Sequence, residues 1–253
     1  MPLLILLFSL LSYGLFLGVF LYLVLFVSGG IFTEWLPVPA PLKTIDSGQS
    51  SFTVPGLTAM ASNLVILLSF GLQHSIMARK PFKKALTRIV PEAAERSVFV
   101  LATSLVLCWT YVAWQPVTGP VWHVEGSGKI ILSLLFLLGA ALVLWATFMI
   151  NHWELFGLAQ AWRNFRRREA SKPDFKEPAL YKFSRHPLYL GIIIVFWATP
   201  VMTTGHLLFA SIWTAYVFIG IGYEEKDMID RFGNSYIDYM KRVPQLFPFG
   251  RSK

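Results

Sequence analysis

Charge is scarce in this sequence. Only 14% of its 253 residues are Asp, Glu, Lys or Arg, while 55% are hydrophobic; a soluble domain carries about a quarter charged residues. The deficit argues against a water-soluble globular enzyme, and so large an apolar fraction excludes a disordered or collagen-like chain. Cysteine is nearly absent as well. Cys108 is the single one, which forbids an internal disulfide and any zinc site built on thiolates. No charged side chain falls inside the long apolar blocks, where pumps and ion-coupled transporters keep theirs. No convincing internal repeat is visible, and inverted repeats are the usual architecture of secondary transporters.

What the chain has instead is apolar length. Its mean hydropathy is +0.56, and uncharged blocks cover residues 3–27, 54–77, 97–114, 130–150 and 188–223. A run of about 20 apolar residues spans a bilayer as a helix. The last block is too long for one crossing. It is interrupted by Thr199-Pro200 and by Thr203-Thr204-Gly205-His206, so a helical hairpin over 188–201 and 206–223 is expected. The expected fold is therefore all-α: a polytopic membrane helix bundle of about six transmembrane helices in a single integral membrane domain. Its last two helices form the hairpin, and residues 224–253 make a cytoplasmic tail. The cytoplasmic loops and the tail are expected to complete the active site. The first block lacks a basic lead-in and exceeds the apolar region of a signal peptide, so it reads as a retained span.

Lys and Arg set the orientation. Twenty of the 22 lie in segments 78–96, 151–187 and 224–253, leaving only Lys43 and Lys129 elsewhere. Six crossings bring all three segments to one side and place both termini in the cytoplasm; five would split them. The formal net charge of +8 then belongs to positive-inside loops, and no nucleic-acid-reading module is visible. The arginine-rich stretch 163–168 is expected to meet anionic lipid headgroups.

Polar residues gather at the cytoplasmic ends of these spans. Gln73-His74-Ser75 closes the second, Asn151-His152-Trp153-Glu154 follows the fourth, residues 181–191 enter the hairpin and Tyr223-Glu224-Glu225 leave it. The outer loops show only scattered Glu34, Asp46, His123, Glu125 and His206. In Arg185-His186-Pro187, the proline suits a first helical turn, the free N–H groups there suit an anion, and Gly191 lets a backbone or ligand approach closely. The same residues also fit a plain interfacial helix start with a snorkelling arginine. Glu224 and Glu225 point about 100° apart on a helix, so one carboxylate could face a cavity and the other the interface. Such a pair suits a cationic ligand or sugar hydroxyls. Near a helix C-terminus the dipole disfavours negative charge, which argues against two merely solvated glutamates. His74 reads either as a polar helix end or as a general base, and His152 has the same two readings. No residues stand in metal-ligand spacing, so no metal is expected.

Taken together these residues form a pattern. Arg185-His186-Pro187-x-Tyr189-x-Gly191, then Glu224-Glu225, then Arg231-Phe232-Gly233-x-x-Tyr236-x-x-Tyr239, Val243-Pro244 and Pro248, resembles the signature of integral membrane S-adenosylmethionine-dependent methyltransferases. That superfamily includes the isoprenylcysteine carboxyl and phospholipid methyltransferases. The front half narrows the resemblance. Gln73-His74-Ser75-x-Met77-Ala78-Arg79, Phe82-Lys83, Pro91, Glu95-Arg96-Ser97 and Glu154-Leu155-Phe156-Gly157-Leu158-x-Gln160 are similar to the bacterial methanethiol S-methyltransferases. Part of that half is also similar to NnrU-type membrane proteins, which lack the Arg-His-Pro signature.

The resemblance implies that S-adenosylmethionine methylates a small thiol, giving dimethyl sulfide and S-adenosylhomocysteine at the cytoplasmic face of a bacterial inner membrane. It implies that Gln160, Tyr181, His186, Pro187, Tyr189 and Gly191 line the donor pocket. Glu224 or Glu225 would hold the donor's amine or ribose, and Arg185 or Arg231 its carboxylate. His74 as base and Asn151 as an orienting group would be catalytic, with Gln73 and Trp153 at the acceptor; Trp153 could also face the sulfonium. The expected partners are the thiol and membrane lipids, with no nucleic acid and no obligate protein partner. Two alternatives remain open: a prenylcysteine or phospholipid acceptor, and a non-catalytic membrane protein of the NnrU type.

Overall fold

The computed structural model describes residues 1–29, 31, 43–48, 50, 58–169 and 175–247. Glu34, residues 54–57 of the expected second span, Lys172, Pro248, Arg251 and Lys253 lie outside the described residues. In chain order the first helices are α1 (Pro2–Val27), α2 (Ala59–Ala78), α3 (Lys80–Leu86), α4 (Glu92–Ala113) and α5 (Gly126–Ile150). They are followed by α6 (His152–Leu155), α7 (Leu158–Arg166), α8 (Pro187–Trp197), α9 (Thr204–Phe232) and α10 (Asn234–Arg242). Two short strands, β1 (Pro120–His123) and β2 (Val201–Thr203), are the regular exceptions among the described residues. The protein is an all-α polytopic membrane bundle. The helices α1, α2, α4, α5 and α9 are long and apolar enough to cross a membrane, and α8 is a shorter apolar helix.

A span tolerates a hydroxyl only if the hydroxyl finds a partner within it. Ser12, Ser104 and Thr110 accordingly donate to the carbonyls four residues back, Phe8, Val100 and Val106. Helix α9 departs from the sequence expectation. It runs without a break through Glu224 and Glu225 to Phe232, so the expected tail starts as helix. The interruption before it is extended rather than a bare turn. β2 pairs antiparallel with β1, in the register Pro120–Thr203, Trp122–Met202 and His123–Val201, with a bulge at Pro120/Trp122.

The chain divides into two compact units. The first holds Met1–His123, Asn151–Ser171 and Val201–Leu208. Here α1 and α4 lie side by side: Ser97 donates to Ser9 at 2.7 Å, and the Tyr111 hydroxyl reaches the Val19 carbonyl at 3.1 Å. α2 packs on α4, and α7 packs along α1, with Ala161 meeting Ile5 and Ala94. Gly157 joins α6 to α7 at φ 90°, and a Cβ there would stand 2.6 Å from the Ser97 hydroxyl oxygen. Only glycine lets that turn press against α4. The opposite end is held by polar clamps. The buried Lys43 ammonium donates to the Val112 and Trp114 carbonyls, both at 2.9 Å, and Asn63 exchanges two hydrogen bonds with Gln115. His206 is not the loop residue its sequence context suggested: it is fully buried, 3.9 Å from Asp46, which accepts from Thr203.

The second unit holds Val124–Ile150, Lys172–Pro200 and Phe209–Lys253. Val217, Ile221 and Leu246 form one apolar cluster against Tyr189, Leu190, Ile192 and Ile193. Tyr236, Tyr239 and Val243 form another, joined by Phe175. The closest helix contact is α5 on α8. A Cβ at Gly191 would meet the Gly139 carbonyl oxygen at 2.8 Å and the Val143 nitrogen at 2.9 Å. The space beside Gly191 is thus taken by helix backbone, the backbone approach that a glycine at this position allows.

Backbone cannot give way as a side chain tip can, so Gly191→Ala is expected to destabilise the protein by about 1–3 kcal/mol through overpacking. Thermal unfolding in detergent checks this against Gly220→Ala, where the added methyl meets nothing within 4 Å. A Gly191→Ala protein as stable as Gly220→Ala would contradict the packing argument.

Candidate functional site

The Arg185-His186-Pro187 segment is placed by local rules first. Pro187 takes the opening position of α8, where its missing N–H costs nothing, and His186 is the capping residue. Just upstream, the backbone N–H groups of Arg185 and His186 donate to the carbonyls of Pro244 and Gln245, at 3.0 and 3.2 Å. The chain following α10 is thereby stitched to the start of α8.

Side chains complete the junction. Arg185 donates through Nε to Glu225 Oε1 at 2.8 Å, and through Nη1 to the Met240 and Val243 carbonyls at 3.1 and 2.6 Å. His186 Nε2 lies 3.1 Å from the same Glu225 oxygen, and Gln245 Nε2 donates to Glu225 Oε2 at 3.4 Å. The Arg185 and Glu225 side chains are 8% and 11% exposed. Because α9 continues past the pair, the glutamates sit within a helix rather than at its C-terminus, so the dipole does not act on them as expected. Their angular separation does matter. Glu225 is committed to the junction, while Glu224 is 45% exposed, with Oε2 3.9 Å from His186 Nδ1 and a hydrogen bond with Tyr189.

The neighbouring tyrosines are neutral donors. Burial, with negative charge or further tyrosines nearby, raises the Tyr181, Tyr236 and Tyr239 hydroxyls well above the usual tyrosine range. Tyr239 donates to the Tyr181 carbonyl at 2.6 Å. A cleft of about 350 Å³ opens beside Arg185, walled by Ile229, Ile237 and Met240 and edged by Lys241. Arg231 stands apart from this network: it is exposed, with its guanidinium 5.2 Å from the Phe232 ring centre.

The remaining candidates belong to the first unit. His74 stacks on Phe70 and meets the tilted ring of Phe99, ring centres 5.4 and 4.9 Å away, with Nδ1 3.5 Å from the Thr103 hydroxyl. Gln73 donates to Met77 Sδ at 3.0 Å, and Gln160 donates to the Glu154 carbonyl at 3.0 Å. The carbonyl oxygen of each glutamine is buried and finds no hydrogen-bond partner among the described residues. Asn151 caps α6, accepting from the Glu154 N–H at 3.2 Å, with its own backbone at φ 139°. Trp153 is half-exposed beside Tyr13, ring centres 6.0 Å apart. Glu154 takes a two-pronged contact from Arg163 at 2.6 and 2.7 Å, which holds its carboxyl below the usual carboxylate range.

Sequence reasoning missed Gln245 and Tyr13. Gln245 carries no motif of its own and acts through its backbone carbonyl as much as its amide. Tyr13 is one aromatic residue in an apolar span, and its partner His152 lies 139 residues away.

A family described as "Protein of unknown function (DUF1295)" matches residues 81–243. The chain is 46% identical over 247 residues to a methanethiol S-methyltransferase of a Pseudomonas species, covering 96% of this chain and 89% of that protein. It is 41% identical over 239 residues to a methanethiol S-methyltransferase of Mycobacterium tuberculosis, covering 94% and 93%. A Nurim homolog of Drosophila melanogaster is 27% identical over 184 residues, covering 64% and 67%. No solved structure matches the chain.

Removing one partner of a buried pair strands the other charge. Arg185→Met is therefore expected to lower stability by about 3–5 kcal/mol, with no rescue by Arg185→Lys, which lacks the planar fork. Glu224→Gln is expected to change stability by less than about 0.5 kcal/mol, as for an ordinary surface position. Thermal unfolding of the three variants checks the ordering, and a stable Arg185→Met protein would contradict it.

Proposed function

The chain belongs to the methanethiol S-methyltransferase family, and we propose that it methylates methanethiol at the expense of S-adenosylmethionine, releasing dimethyl sulfide and S-adenosylhomocysteine. The observation that carries this reading is the unequal state of the two adjacent glutamates. Glu225 is enclosed by Arg185, His186 and Gln245, while Glu224 keeps an accessible carboxylate flanked by His186 and Tyr189. A methyltransferase needs such an acceptor for a donor that carries an ammonium and ribose hydroxyls.

The residues present fit the rest of that donor. Arg185 and Lys241, at the edge of the cleft, suit its carboxylate; the rings of Tyr181 and Tyr189 suit a sulfonium. In the first unit, taken by itself, the buried carbonyl oxygens of Gln73 and Gln160, which find no hydrogen-bond partner among the described residues, suit hydrogen-bond donors of a ligand there, since an acceptor left without one costs about 1–3 kcal/mol. The sulfonium supplies a methyl group that is already activated. What the chain's residues contribute is alignment of two sulfurs, exclusion of water and removal of the thiol proton, because the thiolate is the nucleophile.

Location supports the same reading. The three basic segments hold 20 of the 22 Lys and Arg residues, so we read both termini and the donor side as cytoplasmic, in a bacterial inner membrane. A charged, water-soluble donor is available there, and a small apolar thiol crosses the bilayer unaided. Residues 163–168 then face anionic headgroups.

Purified protein in detergent is expected to form dimethyl sulfide, followed by headspace gas chromatography, only when both substrates are present. Glu224→Ala is expected to weaken S-adenosylhomocysteine binding by about 10- to 100-fold, the equivalent of about 1.5–3 kcal/mol for a hydrogen bond to a charged group. Tight binding without dimethyl sulfide would move the acceptor to a lipid or prenyl thioether. Neither binding nor product from a folded sample would overturn the enzymatic reading.

A further inference from the structure

The segment between α5 and the basic stretch does not lie where a loop would. In the first unit it doubles back along α1 and α4. Ala161 of α7 packs with Ile5 and Ala94, near the start of both helices. Gly157 meets Ser97, which is bonded to Ser9. Deepest are His152, Trp153 and Phe156, against Tyr13 and Phe16. Tyr13 stands eleven residues into α1, about 16 Å from its start at 1.5 Å per residue. A polar stretch is thus held alongside a membrane-spanning helix, well inside its length.

At that depth sits one short polar contact. The Tyr13 hydroxyl and His152 Nε2 are 2.7 Å apart, and His152 is buried. The rings of Tyr13, Trp153 and Phe156 surround the imidazole, with centres 4.8 to 5.6 Å away. Such a setting suits a small sulfur compound, since sulfur packs favourably at ring edges. Of the charged groups on the packed elements, Arg96 donates to the Leu155 carbonyl and lies near Glu95, Glu154 is paired with Arg163, and Glu95 Oε1 is buried with no hydrogen-bond partner among the described residues. The residue that orients His152 is itself strained. Asn151, with φ 139° and ψ 85°, caps the helix that begins at His152. A non-glycine residue persists there only when its surroundings enforce it, and such residues cluster at functional sites.

We infer that Tyr13 and His152 form the proton-accepting pair for the acceptor thiol. The assignment rests on the methanethiol reading and refines it. One feature separates this pair from His74, the candidate base of the sequence. Its contact is 2.7 Å against 3.5 Å for His74 and Thr103, and proton transfer needs the shorter distance. Asn151 then acts as a positioning residue, through the cap it gives to α6. In the step, the thiol S–H bond breaks and its proton passes to the Tyr13 oxygen, as Tyr13 releases its own proton to His152 Nε2. The sulfur lone pair forms the new S–CH3 bond. The donor's S–CH3 bond breaks with its electron pair going to the departing sulfur, and the imidazolium later returns the proton to water.

The test compares the wild-type protein with Tyr13→Phe and His152→Gln. It measures dimethyl sulfide formation from pH 7 to pH 9, with S-adenosylhomocysteine binding by calorimetry as the control for folding. Each variant is expected to lose about 10²-fold or more in kcat, the usual contribution of general base catalysis, while donor-product affinity is kept. The deficit is expected to shrink as pH rises and when a more acidic acceptor, trifluoroethanethiol, replaces methanethiol, because a preformed thiolate needs no base. Full turnover by Tyr13→Phe, or a deficit that ignores both pH and thiol acidity, would overturn the pair while leaving the methanethiol reading intact. A wild-type protein that binds S-adenosylhomocysteine but forms no dimethyl sulfide would overturn both.

Discussion

A charge buried in a membrane protein has to be met by several partners at once, and Arg185 with Glu225 shows what that demands of the chain. The attraction of an isolated buried pair does not reliably offset the loss of hydration. Here the guanidinium also satisfies two carbonyls from the end of α10, and the carboxylate also meets His186 and Gln245. The extra partners come from two stretches, the start of α8 and the chain from the end of α10 onward. α8 must therefore begin at Pro187, α9 must continue past Glu225, and the chain after α10 must return to the start of α8. Glu224, the accessible glutamate, is then simply the one that this junction leaves over.

The first unit meets a related constraint with other residues. Where α4 ends, its last carbonyls would be unsatisfied, and Lys43 donates to two of them. Asn63 and Gln115 satisfy each other, and Trp114 donates to the Ile45 carbonyl. These clamps fix one end of α1, α2 and α4. Toward the starts of α1 and α4, the glycine turn at Gly157 and the Arg96–Leu155 bond hold the doubled-back segment in place. The result is a rigid frame in which the Tyr13–His152 contact is set by both neighbours of the segment.

Much of the fold was legible because hydropathy reports burial in lipid directly. The apolar blocks needed only counting for the all-α bundle to be read. Charge misled at Glu224 and Glu225, since a charged pair normally marks where a span ends, whereas here one carboxylate is neutralised inside the helix by residues 40 and 39 positions earlier. Asn151 to Gln160 read as a loop because its polarity matches one; only packing on α1 and α4 makes it otherwise. The Arg-His-Pro segment and the glutamate pair could be singled out by motif, yet which glutamate is accessible follows from helix phase and tertiary partners. Gly191 carried two readings in the sequence, since a small residue fits close approach of either a ligand or a backbone; the helix α5 backbone is what a Cβ there would meet.

The most direct measurement follows the methyl group itself. Purified protein in lipid nanodiscs would be given methanethiol and S-adenosylmethionine carrying a tritiated methyl, and the label would be partitioned between the volatile fraction, the lipid extract and the protein. Label recovered in dimethyl sulfide, with the lipid and protein fractions at background, is the predicted result. Label accumulating in lipid, or remaining wholly in the donor, would contradict the assignment of a small thiol as acceptor.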